Sequence, residues 1–166
     1  MVETYLKEIS LFSNLDDSEI GRIAELTRKK RFASGEVIMQ EGQEGDTMYI
    51  VLEGELEVSK TLTMKFGEDD YREKEKLLTR YFSQDHPFFG KMALIGRYQR
   101  SATIVAVTDC LLLEISRSDF MKFLEGFPAI GNKLLLKISE SLIKRLRRSS
   151  QDVVRLSTAL SIALSR

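Results

Sequence analysis

The side chains best suited to binding chemistry lie together between Phe88 and Thr103, FFGKMALIGRYQRSAT. Phe89-Gly90 opens a tight turn, and Lys91-Met92-Ala93-Leu94 suits a single helical turn. Arg100-Ser101-Ala102-Thr103 then leads into the strand-like run Thr103–Val107. A turn ahead of a short helix exposes unpaired backbone N–H groups, which favour an anion. Gly90 has no Cβ and lets a ligand approach the backbone closely. Arg100 supplies a planar, permanently charged fork for phosphate oxygens. The chemistry expected here is phosphate binding.

Catalysis is not expected. One histidine (His86) and one cysteine (Cys110) give neither a zinc site nor a Cys-His dyad. The carboxylate pairs Asp16-Asp17 and Asp69-Asp70 fall at a helix start and a loop tip, where solubility explains them. No Walker-type glycine loop followed by Lys-Ser or Lys-Thr is present. No metal is expected.

The segment resembles the phosphate-binding cassette of the cyclic nucleotide-binding domain family, whose pattern is F-G-E-[LM]-A-L, a short loop, then R-[ST]-A. The match holds at every position except Lys91, where the family has Glu. A second stretch is also similar to that family. It runs from Phe32 through Gly35, Ile38 and Gly42 to Gly45-Asp46-Thr47-Met48-Tyr49-Ile50-Val51-Leu52-Glu53-Gly54. The resemblance covers roughly Leu11 to Leu160. It implies a mainly β fold with flanking helices, a double-stranded β-helix (jelly roll) followed by a long C-terminal dimerisation helix. It also implies a non-enzymatic ligand-sensing regulatory module, with a cyclic nucleotide (cAMP or cGMP) as the ligand. Gly90, Lys91, Met92, Ala93, Arg100, Ser101 and Ala102 would hold the cyclic phosphate and ribose. In the family the Glu accepts a hydrogen bond from the ribose 2′-OH, a role Lys91 cannot repeat.

Three consequences of Lys91 stay open at this level. A cyclic mononucleotide still binds, with weaker ribose recognition. Alternatively, the paired charges of Lys91 and Arg100 favour a ligand with more than one negative charge, such as a dinucleotide or a pyrophosphate-bearing nucleotide. Or the pocket is degenerate, and the chain serves as a dimerisation or interaction domain.

The elements that must position these residues are legible as pattern. Val2–Ser10 reads as a short helix, and Asn14–Glu19 as the acidic start of a second one. The basic run Arg28-Lys29-Lys30-Arg31 reads as a surface helix end leading into the first strand. From Phe32 to Ile115, short β-type runs are punctuated by Gly35, Gly42, Gly45, Gly54 and Gly67, an arrangement that argues for a jelly roll or barrel. Leu56–Phe66 and Tyr71–Phe82 form a long hairpin, and the charged stretch Gly67–Lys76 makes its tip, read as a solvated loop. Ser116–Asp119 caps a helix over Phe120–Gly126, which Phe127-Pro128 ends.

The residues divide into a jelly roll with its N-terminal helices (1–130) and a long helix (131–166). The helix carries an apolar seam of Leu135, Ile138, Leu142, Leu146, Ser149, Val153, Leu156, Leu160 and Ala163, mostly at steps of three and four. Packing on its own barrel would explain part of this stripe. A parallel homodimer explains the distal half, because a small barrel cannot cover more than 30 helical residues at about 1.5 Å each. In catabolite activator-type members of the family, a Thr-Ser pair on this helix reads the purine. Ser149 and Ser150 fall at those positions, and either a ligand's base or a bond back to their own helix satisfies their hydroxyls.

The 166 residues, 43% hydrophobic and 30% charged, describe one ordinary globular domain. No run approaches membrane-span length and no signal segment opens the chain, so a cytoplasmic location is expected. Cys110 sits in the apolar run Cys110–Leu113 and reads as a buried core thiol. The 25 basic and 25 acidic residues cancel, but residues 131–166 carry a net +6. A solvated helix face accounts for that charge more simply than nucleic acid does. Transcription-regulating members of the family place a helix-turn-helix beyond the long helix, and this sequence stops at Arg166. It therefore reads as a stand-alone sensor or as the sensor half of a regulator cut at its hinge, and DNA recognition is not expected of this chain alone.

Overall fold

The computed structural model describes residues 2–65 and 71–165, with backbone only at 63–65 and 71–73. Of the expected hairpin tip Gly67–Lys76, residues 67–70 lie outside the described residues, and 71–76 are not loop but the start of the hairpin's second strand, paired along 60–65.

Two four-stranded antiparallel sheets face each other. The first has the order β1 (Arg28–Phe32), β10 (Cys110–Ser116), β4 (Thr47–Glu53), β7 (Phe88–Phe89). The second has the order β2 (Val37–Met39), β9 (Thr103–Ala106), β5 (Glu55–Lys65), β6 (Tyr71–Phe82). A two-stranded ribbon joins β3 (Glu44–Gly45) to β8 (Tyr98–Gln99). The last strand, β10, inserts between β1 and β4, and β9 inserts between β2 and β5. These returns across the sandwich make it a jelly roll.

Strand β4 explains how one sequence run serves two cores. Tyr49 and Val51 point between the sheets, beside Phe32, Leu56, Phe89, Ile104, Cys110 and Leu112. Met48 and Ile50 point outward, to a second core built with the helices. A strand buried on both faces reads as a continuous apolar run rather than an alternation. Strand β10 does the same, with Cys110 and Leu112 inward and Leu113 and Ile115 outward.

The outer core is closed by α1 (Val2–Lys7), a 3-10 turn at Ser10–Phe12, α2 (Asp17–Leu26), α4 (Arg117–Gly126) and the start of α5 (Pro128–Leu164). Helix α2 starts in a reciprocal capping box between Asp16 and Glu19, and Ser116 caps α4 by accepting from the Asp119 N–H. Pro128 opens α5, where its missing N–H costs nothing. Ile130, Leu134 and Ile138 of α5 are buried in the outer core, and Lys133 pairs with Glu19 at 2.7 Å. The division at 130/131 thus falls within the first turn of α5, whose opening turns pack with the jelly roll. From Leu142 to Leu164 every residue of α5 is exposed.

The expectation for residues 28–31 is corrected. Arg28–Arg31 is not a helix end but most of strand β1, whose first four residues are exposed. It lies at a sheet edge, where charged side chains block pairing with another chain. Arg28 pairs with Asp119 at 3.0 Å and Lys30 with Glu114 at 3.3 Å.

Candidate functional site

Arg100 is fixed before any ligand arrives. It follows β8, and its backbone is clamped on both sides: its N–H donates to the Gln43 carbonyl at 2.8 Å, and its own carbonyl accepts from Gly42 N–H at 2.9 Å. Its side chain crosses Gly45 so closely that a Cβ there would sit 1.9 Å from Nε. The guanidinium then meets Thr47, with Nη1 donating to the carbonyl oxygen at 2.8 Å and Nη2 to Oγ1 at 2.9 Å. Gly90 borders it from the other side. Its φ is +82°, and a Cβ would lie 2.7 Å from the Thr47 oxygen and 2.9 Å from Arg100 Nη1. Burial draws the guanidinium pKa down, with Tyr49 and the neighbouring Asp46 opposing it. Arginine starts so high that the group stays charged. Two of its five N–H donors are engaged with Thr47, which aims the fork and leaves others for an anion.

The expected helical turn is α3 (Met92–Ile95), with Lys91 at its N-cap position. Ala93 and Leu94 of this turn are buried, and Met92 is exposed. Lys91 Nζ donates to Ser141 Oγ on α5 and sits 5.4 Å above the Phe88 ring. Burial, reinforced by the positive charge of Arg145, pushes its pKa down.

These groups line one cavity of about 390 Å³, within the range of small-molecule sites. Phe88, Phe89, Tyr81, Met39, Val58 and Ile104 give it an apolar wall, in which Tyr81 stacks on Phe89 at 17°. Of the residues expected to hold the ligand, Gly90, Lys91, Met92, Ala93, Arg100, Ser101 and Ala102 all border it. Ser149 and Ser150 do not. They are exposed on α5, and the helix residue that borders the cavity is Arg145, one turn earlier.

Sequence reasoning missed four contributors. Gly45 and Thr47 were legible only as part of a glycine-rich motif, not as the bed of Arg100. Ser141 and Arg145 lie four residues apart on one face of α5. The helix's apolar seam, its net positive charge and its Ser149-Ser150 pair are legible in sequence, and none of these singles out positions 141 and 145.

The lining is one-signed. Lys60, Lys91, Arg100 and Arg145 border the cavity, and no acidic side chain does among the described residues. Lys60 has Glu41 at 3.8 Å. Elsewhere, burial pushes the thiol pKa of Cys110 up, and His86 (φ 49°) packs on Tyr5 with ring centroids 4.6 Å apart. Among the described residues no cluster of His, Cys, Asp or Glu is placed to hold a metal, and no helix is long and apolar enough to cross a membrane.

A jelly roll with an aimed arginine at a cavity with an apolar wall, bordered by a C-terminal helix, is the architecture of a regulatory domain. The chain belongs to the cyclic nucleotide-binding domain family, whose model matches residues 29–127. It is 31% identical over 124 residues to the cAMP-dependent protein kinase regulatory subunit of Aspergillus fumigatus, covering 75% of this chain and 27% of that one. The catabolite activator protein of Thermus thermophilus has a similar structure, with a TM-score of 0.75 and 25% identity over 90% of this chain and 63% of that one. So does the regulatory domain of Toxoplasma gondii PKA, solved with cAMP, with a TM-score of 0.64 and 27% identity over 84% of this chain and 49% of that one. The chain spans only 15–28% of the length of the first curated relatives it matches.

Proposed function

We propose that this chain is a non-enzymatic sensor of a cyclic nucleotide, cAMP or cGMP, and that it works as a homodimer in the cytoplasm. The observation that carries the reading is Arg100, held by Thr47 across two glycines at the edge of an open apolar cavity. The ligand's phosphate pairs with the free donors of Arg100, beside Gly90 and Ser101. Its base lies toward α5, with Ser149 and Ser150 engaged from the exposed stretch of the dimerised helix. Because Lys91 already touches Ser141, occupancy of the cavity and the position of α5 are coupled, and binding shifts the population of helix arrangements.

A degenerate pocket that serves only dimerisation fits less well. Lys91 is held at Ser141, and the cavity remains open beside it. The dimer reading rests on Leu146, Val153, Leu156 and Leu160 of α5, each 59–70% exposed. Stripped of a partner, such a seam leaves apolar surface in water that a second helix would cover.

The test is calorimetric titration of ligand-free protein with cAMP and cGMP, beside Arg100→Ala. Micromolar binding that weakens at least about tenfold in the variant is expected, since hydrogen bonds to charged groups contribute roughly 1.5–3 kcal/mol each. Equal affinity in the two proteins would remove Arg100 as the phosphate site.

A further inference from the structure

We propose that Lys91 and Arg145 form a second anion subsite, bridging the α3 turn and helix α5, so that the preferred ligand is a nucleotide carrying a second, separate phosphate. The inference rests on the Arg100 phosphate site proposed above.

A singly charged cyclic phosphate is already matched by Arg100. Lys91 and Arg145 then remain at the same cavity with no carboxylate partner among the described residues. They come from different elements and converge. Lys91 starts α3 and reaches Ser141 on α5, and Arg145 stands one turn along the same helix face. The Lys91 ammonium has three N–H donors, and the Ser141 hydroxyl takes one. Arg145 makes no ion pair among the described residues, and its charge is close enough to disfavour the protonated form of Lys91. Two like charges at one cavity, of which Lys91 is half-buried, are unfavourable without a counter-ion. An anionic oxygen group between them replaces repulsion with two charge-assisted hydrogen bonds. The same anion would tie α5 to the cassette.

The experiment is calorimetric titration of ligand-free chain with cAMP, adenosine 3′,5′-bisphosphate and cyclic di-AMP, which share one base and differ in phosphate number. At least one two-phosphate probe is expected to bind about tenfold more tightly than cAMP. In Arg145→Gln and Lys91→Met that ratio falls toward one. In Arg100→Ala all binding weakens. A ratio at or below one in the native chain, or a ratio that both variants leave intact, overturns the second subsite while the Arg100 site stands. Binding that Arg100→Ala does not weaken, or folded protein that binds none of the probes, overturns the sensing reading and the subsite with it.

Discussion

Gly45→Ala is expected to disable the ligand site while leaving the fold intact. The added Cβ would lie 1.9 Å from Arg100 Nε, 2.1 Å from Cζ and 2.4 Å from Nη2, all well inside contact distance. Every atom met belongs to one flexible side chain, so the guanidinium must leave its bed, while the backbone need not move. Gly45 itself does not have a positive φ, and alanine suits its conformation. The displaced arginine loses its bonds to Thr47 at 2.8 and 2.9 Å and donates to water instead. Folding stability therefore changes by only about 1 kcal/mol. A ligand phosphate, in contrast, loses an aimed charged donor, which costs roughly 1.5–3 kcal/mol, or about ten- to a hundredfold in affinity. The assay pairs calorimetric titration with cAMP and thermal unfolding. Gly126→Ala is the control, since a Cβ there meets nothing within 4 Å. If Gly45→Ala bound cAMP as tightly as the native chain, the claim that Arg100 acts from this bed would be wrong.

Gly90→Ala should behave differently, because its φ of +82° and the Thr47 oxygen 2.7 Å from the new Cβ strain the backbone itself. A stability loss of about 1–3 kcal/mol is expected, read as a lower denaturation midpoint together with weaker binding. Lys91 carries a depressed pKa, so below it the folded state bears an ammonium that it disfavours. Stability should rise as pH climbs from that lowered value to the ordinary lysine pKa, because the unfolded chain binds the extra proton across that window. Thermal melts should accordingly show Lys91→Met above the native chain at neutral pH, with the gap narrowing in alkali; a gap independent of pH would refute the assignment. The double variant Leu146→Glu, Leu156→Glu should sediment as a monomer with an unchanged melting profile for the jelly roll, since both side chains are exposed in the single protomer.

The phosphate cassette was legible because its chemistry is local. Gly90, the α3 turn and Arg100 lie within eleven residues, and short-range spacing determines the turn and the start of the strand. Glycine punctuation and apolar runs narrowed the fold to a jelly roll or barrel, and the family resemblance chose the jelly roll. The bed of Arg100 was not legible, because it depends on β3 pairing with β8, a contact between residues more than fifty apart. Strand β1 was misread for a related reason. Four consecutive basic residues carry no β signal of their own, and only the place of β1 at a sheet edge makes them suitable. Ser141 and Arg145 were missed because one helix face can carry both a polar contact and part of an apolar stripe, and periodicity reports the stripe alone.

Helix α5 runs without interruption from the packed core, past Ser141, which Lys91 touches, to Leu164. That continuity makes it a lever with its fulcrum at the contact between Lys91 and Ser141. About 23 residues beyond Ser141, at 1.5 Å each, give an arm of roughly 35 Å, so a tilt of about 5° at the fulcrum carries the far end about 3 Å. A rearrangement at Lys91 no larger than one hydrogen bond's length is thereby enlarged to the scale of a side-chain register. Whatever grips the exposed leucines of the distal arm would feel the state of the pocket as a displacement rather than as a contact.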